Sequence, residues 1–230
     1  MTFLRMFKKI LILIPFALAF GVMQAEAFNS LMPSISVVHN QTQNQLLARH
    51  DMSLTDRYPV PSVSKVFADN ILLTLGYMSG NVKNSTQINW DAVRKPATYE
   101  FTLQPGEVFA FHDDVLPEFA GKKIITTNAH FDASEGFEYD GDLYGDGVCH
   151  LASLMNWVAR DAGLEVVAPT PHNFAVIPGI DAKYGTAIYD AAGDTSANEA
   201  QNLYIENTLD KPVEFVFTYE NNNLTLSVYK

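Results

Sequence analysis

The chain has 230 residues, 47% of them apolar with 15 Phe and 10 Tyr, and carries 26 acidic against 15 basic side chains. That length and apolar content suffice for a real hydrophobic core in one domain. The formal charge of −11 excludes nucleic-acid binding, which needs clustered Lys and Arg, and disfavours anionic lipid surfaces.

In chain order, Arg5, Lys8 and Lys9 precede an apolar run over 10–23, and Ala25-Glu26-Ala27 follows it. A charged start, a short apolar stretch and a small-residue site together predict a signal peptide over 1–27. The mature chain is then expected to begin at Phe28, to be exported (secreted, periplasmic or at the cell surface) and to be a monomer with no membrane attachment. Losing Arg5, Lys8, Lys9 and Glu26 takes its charge from −11 to −13. Residues 28–62 are polar, with a Gln41-Thr42-Gln43-Asn44-Gln45 run. They read as a leader or linker, with one short strand at 34–39 and with His39 and His50 on the solvated surface.

From Val63 the pattern changes. Val63, Val66, Phe67, Asn70, Ile71, Thr74, Leu75 and Met78 mark one helix face, with Pro61-Ser62 as a start and Gly80-Asn81 as a stop. Residues 98–111 alternate around Pro105-Gly106, predicting two short strands and a tight turn. A further strand is expected at 123–127. Asp140, Asp142 and Asp146 raise a calcium question, but their spacing departs from an EF-hand loop and reads as a turn. Strands are then expected at 164–167, 174–177, 186–189, 202–207, 213–219 and 224–229. The resulting fold class is α+β: a single domain over 63–230 with a central cysteine-bearing helix packed on a mostly antiparallel sheet.

That helix follows Gly145-Asp146-Gly147. Val148, Leu151, Leu154, Met155 and Val158 recur at three- and four-residue steps, and Gly163 closes the run. Cys149, the sole cysteine, falls in the first turn, where unpaired N–H groups and the helix dipole favour a thiolate. The alternative is a small apolar residue packed in the core. His172 and Asp181 follow downstream. A Cys-His-acid set is a workable nucleophile, base and orienter, with Gly147 and His150 placed for oxyanion support. A zinc site from Cys149, His150 and His172 is the weakest option, because adjacent helix residues point in different directions. No cofactor and no resident metal are expected.

The wording around these residues resembles the VanW-like family. The resemblance is carried by Gly145-x-Gly147-Val148-Cys149, by Pro171-His172-Asn173-Phe174-Ala175-Val176 and by Leu103-Gln104-Pro105-Gly106-Glu107-Val108-Phe109-Ala110-Phe111. Asn70-Ile71 and Asn202-Leu203-Tyr204-Ile205-Glu206-Asn207 add to it. It extends over about 65–219 and implies an exported cell-envelope protein of bacterial type, named for association with vancomycin-resistance gene clusters. Two positions depart from the family: His150 stands where Gln is usual, and His112 where Asn is usual. Two functions follow as expectations. One is cysteine-dependent acyl transfer or amide hydrolysis on peptidoglycan-type peptides. The other is a non-catalytic module that binds a cell-wall peptide or glycopeptide.

Overall fold

The computed structural model describes residues 45–139 and 145–230, and the expected signal peptide and the strand at 34–39 lie outside them. Two four-stranded sheets organise the chain. The first contains β1 (Leu46–Ser53), β8 (Asn223–Tyr229), β7 (Val213–Glu220) and β2 (Ala97–Leu103), in that order and antiparallel throughout. The second runs β4 (Ile124–Ile125), β3 (Val108–Ala110), β6 (Tyr204–Glu206) and β5 (Glu165–Val167), antiparallel except for the β3–β4 pair. The helices are α1 (Pro61–Met78), α2 (Trp90–Val93), α3 (Val148–Asp161) and α4 (Thr195–Ala200). The architecture is α+β. Among the described residues no helix is long and apolar enough to cross a membrane.

Side-chain alternation explains the first sheet. Along β7, Val213, Phe215, Phe217 and Tyr219 are buried while their neighbours are half-covered, as a strand with one face on the core requires. Asn221 and Asn222 both take positive φ (51° and 58°), the left-handed pair that lets a two-residue loop match the strand twist. Phe101 on β2 stacks on Phe215 at 4.7 Å and on Phe109 of β3 at 5.0 Å. The Pro105-Gly106 turn therefore does not close a hairpin. It passes the chain from one sheet to the other.

Three expectations are corrected. Residues 46–53 were assigned to the leader but form β1, an edge strand paired with β8, so the folded domain starts before Val63. Only Ala48 and Met52 are buried on β1, and a register shift between Leu46 and Ala48 breaks the alternation. An edge strand needs few apolar residues, and this one left no period to detect. His50, expected on the solvated surface, stacks on Trp157 of α3 at 3.6 Å and pairs its Nε2 with Asp161 at 2.6 Å. Residues 174–177 are not a strand, because no neighbouring strand takes their backbone. Phe174 is 74% exposed and Val176 90%.

Candidate functional site

Two helices position the site. Asn70, fully buried on α1, donates from Nδ2 to the carbonyls of Glu138 (3.0 Å) and Asp146 (2.9 Å) and accepts the Glu138 N–H at 2.8 Å. It thereby fixes both ends of the loop that leads into α3. Gly147 caps α3 at φ 102°, and a Cβ there would lie 2.5 Å from the Phe67 carbonyl oxygen and 2.9 Å from its Cα. The missing side chain lets the α3 entry pack closely against α1. Replacing Asn70 with Ala strands three backbone groups and should cost about 2–4 kcal/mol in denaturant unfolding. A loss under about 1 kcal/mol would show that the loop ends do not depend on it.

Cys149 does lie in the first turn of α3, half-buried, but its neighbours differ from the nucleophilic arrangement. Sγ accepts the Ile188 backbone N–H at 3.3 Å and faces the Ile188 carbonyl at 3.7 Å. Ser153, one turn on, accepts the Thr186 N–H at 2.9 Å. Asn156 donates to the Tyr184 carbonyl at 3.0 Å and to Thr186 Oγ1 at 3.1 Å. Positions 149, 153 and 156 share one helix face, and together they form a polar ladder along 184–188. The strand expected at 186–189 does not form; among the described residues this stretch makes one bridge, between Thr186 and Pro171. Its buried backbone groups need partners, and residues 170–172 supply some of them and α3 the others. Burial, only partly offset by the Ile188 N–H, pushes the Cys149 thiol up to about 11. A thiol so placed is protonated at neutral pH.

His172 is buried, and its Nδ1 donates to the Ala175 carbonyl at 3.1 Å. This bond fixes the tautomer with Nε2 as the acceptor. Desolvation holds its pKa below the usual imidazole value, against the pull of that carbonyl. Among the described residues no hydrogen bond joins His172 to Cys149. Among the described residues no hydrogen bond joins Asp181 to His172. The Asp181 side chain is 61% exposed, caps a short 3₁₀ turn through the Lys183 N–H at 3.1 Å and pairs with the Lys183 ammonium at 3.8 Å. A carboxylate at a turn start caps it with little strain, which is the local reason it faces away. His150 is buried beside both, 6.1 Å from His172 and 5.1 Å from Phe67 between ring centres. Burial, with the nearby Arg57 and His172, drops its pKa to about 3. It is neutral, and its Nδ1 has no partner among the described residues.

Cys149, His150 and His172 do open onto one cleft of about 370 Å³. Its remaining wall is largely apolar, with Tyr58, Phe67, Phe174, Val176, Pro178 and Ile188, and it contains one cation, Arg57. Arg57 and Tyr58 fall in the stretch expected to be linker, and their local sequence gives no signal beyond a proline-rich helix entry. Asp181 lines a neighbouring depression with His172 and the 173–177 loop.

Metal-binding chemistry was not found where it was considered. Cys149, His150 and His172 do not gather their ligand atoms. Asp146 meets Asn70 through its backbone, while Asp140 and Asp142 lie outside the described residues. Among the described residues one other group has the right side chains: Asp113, His130 and Asp190, with ligand atoms within 4.8 Å of one another. There His130 Nδ1 is 2.8 Å from Asp190 Oδ2. Burial lowers the His130 pKa, but the bond to Asp190 and the surrounding carboxylates outweigh it and raise the net value. The histidine–carboxylate hydrogen bond holds His130 and Asp190 together in this cluster.

Comparison with known proteins gives one match. A family model described as "VanW like protein" matches residues 96–229, a segment that holds Cys149, His172 and the 103–111 motif but excludes α1, Asn70 and Arg57. No curated protein and no solved structure matches the chain. With more than half of its length matched, the ladder and the 145–188 side of the cleft included, the chain belongs to the VanW-like family.

Proposed function

We propose that this chain is an exported binding module whose cleft holds a short peptide of the cell envelope, and that Cys149 serves the fold. The observation that carries this reading is the engagement of Sγ by Ile188, 3.3 Å from its backbone nitrogen, with no base hydrogen-bonded to it among the described residues. Nucleophilic catalysis needs a thiolate or an adjacent base, and Cys149 is supplied with neither. The cleft volume lies at the small end of the roughly 300–1,000 Å³ common for ligand sites, and an apolar wall with a few polar groups is the usual composition of such sites. The family's association with vancomycin-resistance gene clusters makes a peptidoglycan stem peptide the natural ligand class.

Titration calorimetry of purified stem-peptide fragments against the wild type and Cys149→Ser tests the reading. Serine keeps a donor and acceptor opposite Ile188, so both proteins should bind with affinities within about threefold, and mass spectrometry should find the peptide unchanged. Hydrolysis or transfer by the wild type that is lost in Cys149→Ser would restore the enzymatic alternative. Export is tested separately: the intact mass of the protein from culture fluid should correspond to a chain starting at Phe28, and a retained Met1 contradicts it.

A further inference from the structure

We infer that Arg57 is a carboxylate anchor, so that the cleft selects a peptide ending in a free α-carboxylate behind apolar side chains. The inference rests on the peptide-binding reading above and adds to it the end of the peptide that is recognised.

Arg57 is 3% exposed, yet its guanidinium is poorly matched. Nη2 reaches Asp56 at 3.0 Å, Nη1 meets only the thioether of Met52 at 3.6 Å, and Nε has no partner among the described residues. A guanidinium offers five N–H donors in a planar fork, and a thioether is a weak acceptor. Asp56 is itself mostly in solvent, where an ion pair contributes little. Burying a cation with most of its donors unmet is costly unless something completes its coordination. A carboxylate does so, since two parallel N–H···O bonds are the arrangement Arg favours.

The surroundings narrow the ligand further. His150, also buried on this wall, keeps an unpartnered Nδ1 and can donate a further bond as a neutral ring. Tyr58, Phe174 and Val176 are large, exposed residues that line the cleft. They offer contact area for an aliphatic chain whose end reaches Arg57. The protein as a whole is strongly acidic, so a lone unmet cation within an apolar cleft is a selective attraction and not part of a basic surface. Asp146, the other charged group in the lining, lies toward Cys149, whose thiol it helps to raise. It disfavours anions at that end and leaves the Arg57 end for the carboxylate.

The test uses two probes that differ in one group: N-acetyl-Leu-Ala-Ala with a free carboxylate and the same peptide as its C-terminal amide. Both are titrated calorimetrically against the full mature chain. The acid should bind at least about tenfold more tightly, the scale of a hydrogen-bonded charge, and raising salt should narrow the gap only slightly. In Arg57→Gln the gap should close, mainly through weaker binding of the acid. Circular dichroism establishes that this variant is folded; if it is not, the acid–amide comparison on the wild type decides alone. Equal binding of acid and amide overturns the carboxylate anchor while leaving a peptide cleft in place. Binding of neither overturns the anchor and the peptide-binding reading together.

Discussion

Gly147→Ala is expected to destabilise the domain by about 3–5 kcal/mol, adding a left-handed backbone cost to an overlap with a packed neighbour. The two contributions can be separated within this protein. Gly147 has φ 102°, and a Cβ there meets the backbone of Phe67 at 2.5–3.0 Å, an obstacle no side-chain rotation can remove. Gly163, which ends α3, has a comparable φ of 79° but nothing within 4 Å of the added atom. Gly163→Ala should therefore cost only the conformational part, about 1 kcal/mol. Thermal unfolding of the two variants measures the difference, with a fall in Tm of roughly 10 °C for Gly147→Ala and a few degrees for Gly163→Ala. Equal losses would mean that α1 and α3 shift apart cheaply, and that the α3 entry is not locked by this contact.

Cys149 in the folded protein should react with iodoacetamide roughly two to three orders of magnitude more slowly at pH 7.5 than an exposed thiol, because so little of it is thiolate. The rate should climb about tenfold per pH unit toward an inflection near the thiol's value of about 11, and unfolding should abolish the protection. The same shift has a consequence for stability. A thiol whose folded value lies above its ordinary value of 9.0 keeps its proton where the unfolded chain has lost it. Its contribution is fully present below pH 9 and is lost as the pH rises from 9 to 11, by on the order of 2 kcal/mol. Tyr77 and Tyr204, pushed by burial to about 12, add a similar slope above pH 10, so Cys149→Ser is the control. The variant should lack the part between 9 and 11. Rapid labelling of the native protein at neutral pH, with an inflection below 8, would contradict the structural role and return Cys149 to the nucleophiles.

His150 and His112, where the sequence resemblance leads one to expect Gln and Asn, are both buried. His150 is buried and neutral between Phe67, Arg57 and His172, so it shapes the cleft wall without carrying charge. His112 is held in a buried network in which Asn202 Oδ1 accepts the Phe111 N–H at 2.8 Å and Nδ2 donates to the carbonyls of His112 and Asp114. Desolvation lowers the His112 pKa against the pull of Asp190 and the other nearby carboxylates. Both histidines stand as neutral polar groups, a role the usual amides could also fill.

What the sequence determined by itself was whatever local periodicity and turn chemistry dictate. The three- and four-residue recurrence in 63–78 and 148–158 predicted α1 and α3, and Pro61, Gly147 and Gly163 marked their ends. The strands expected at 213–219 and 224–229 correspond to β7 and β8, and the family wording around Cys149 identified the chain's relatives. The tertiary structure alone decided the rest. Residues 46–53 became a strand by pairing along β8, while 174–177 pair with no strand among the described residues. Cys149 met Ile188 because α3 presented three polar side chains on one face to the backbone groups of 184–188 that the 170–172 segment left over. Arg57 entered the cleft from a stretch without periodicity, where spacing says nothing about which distant helix a side chain will face. Hydrogen-bond satisfaction and cleft geometry arise from contacts between residues tens of positions apart, and the sequence records the ingredients of those contacts without their pairing.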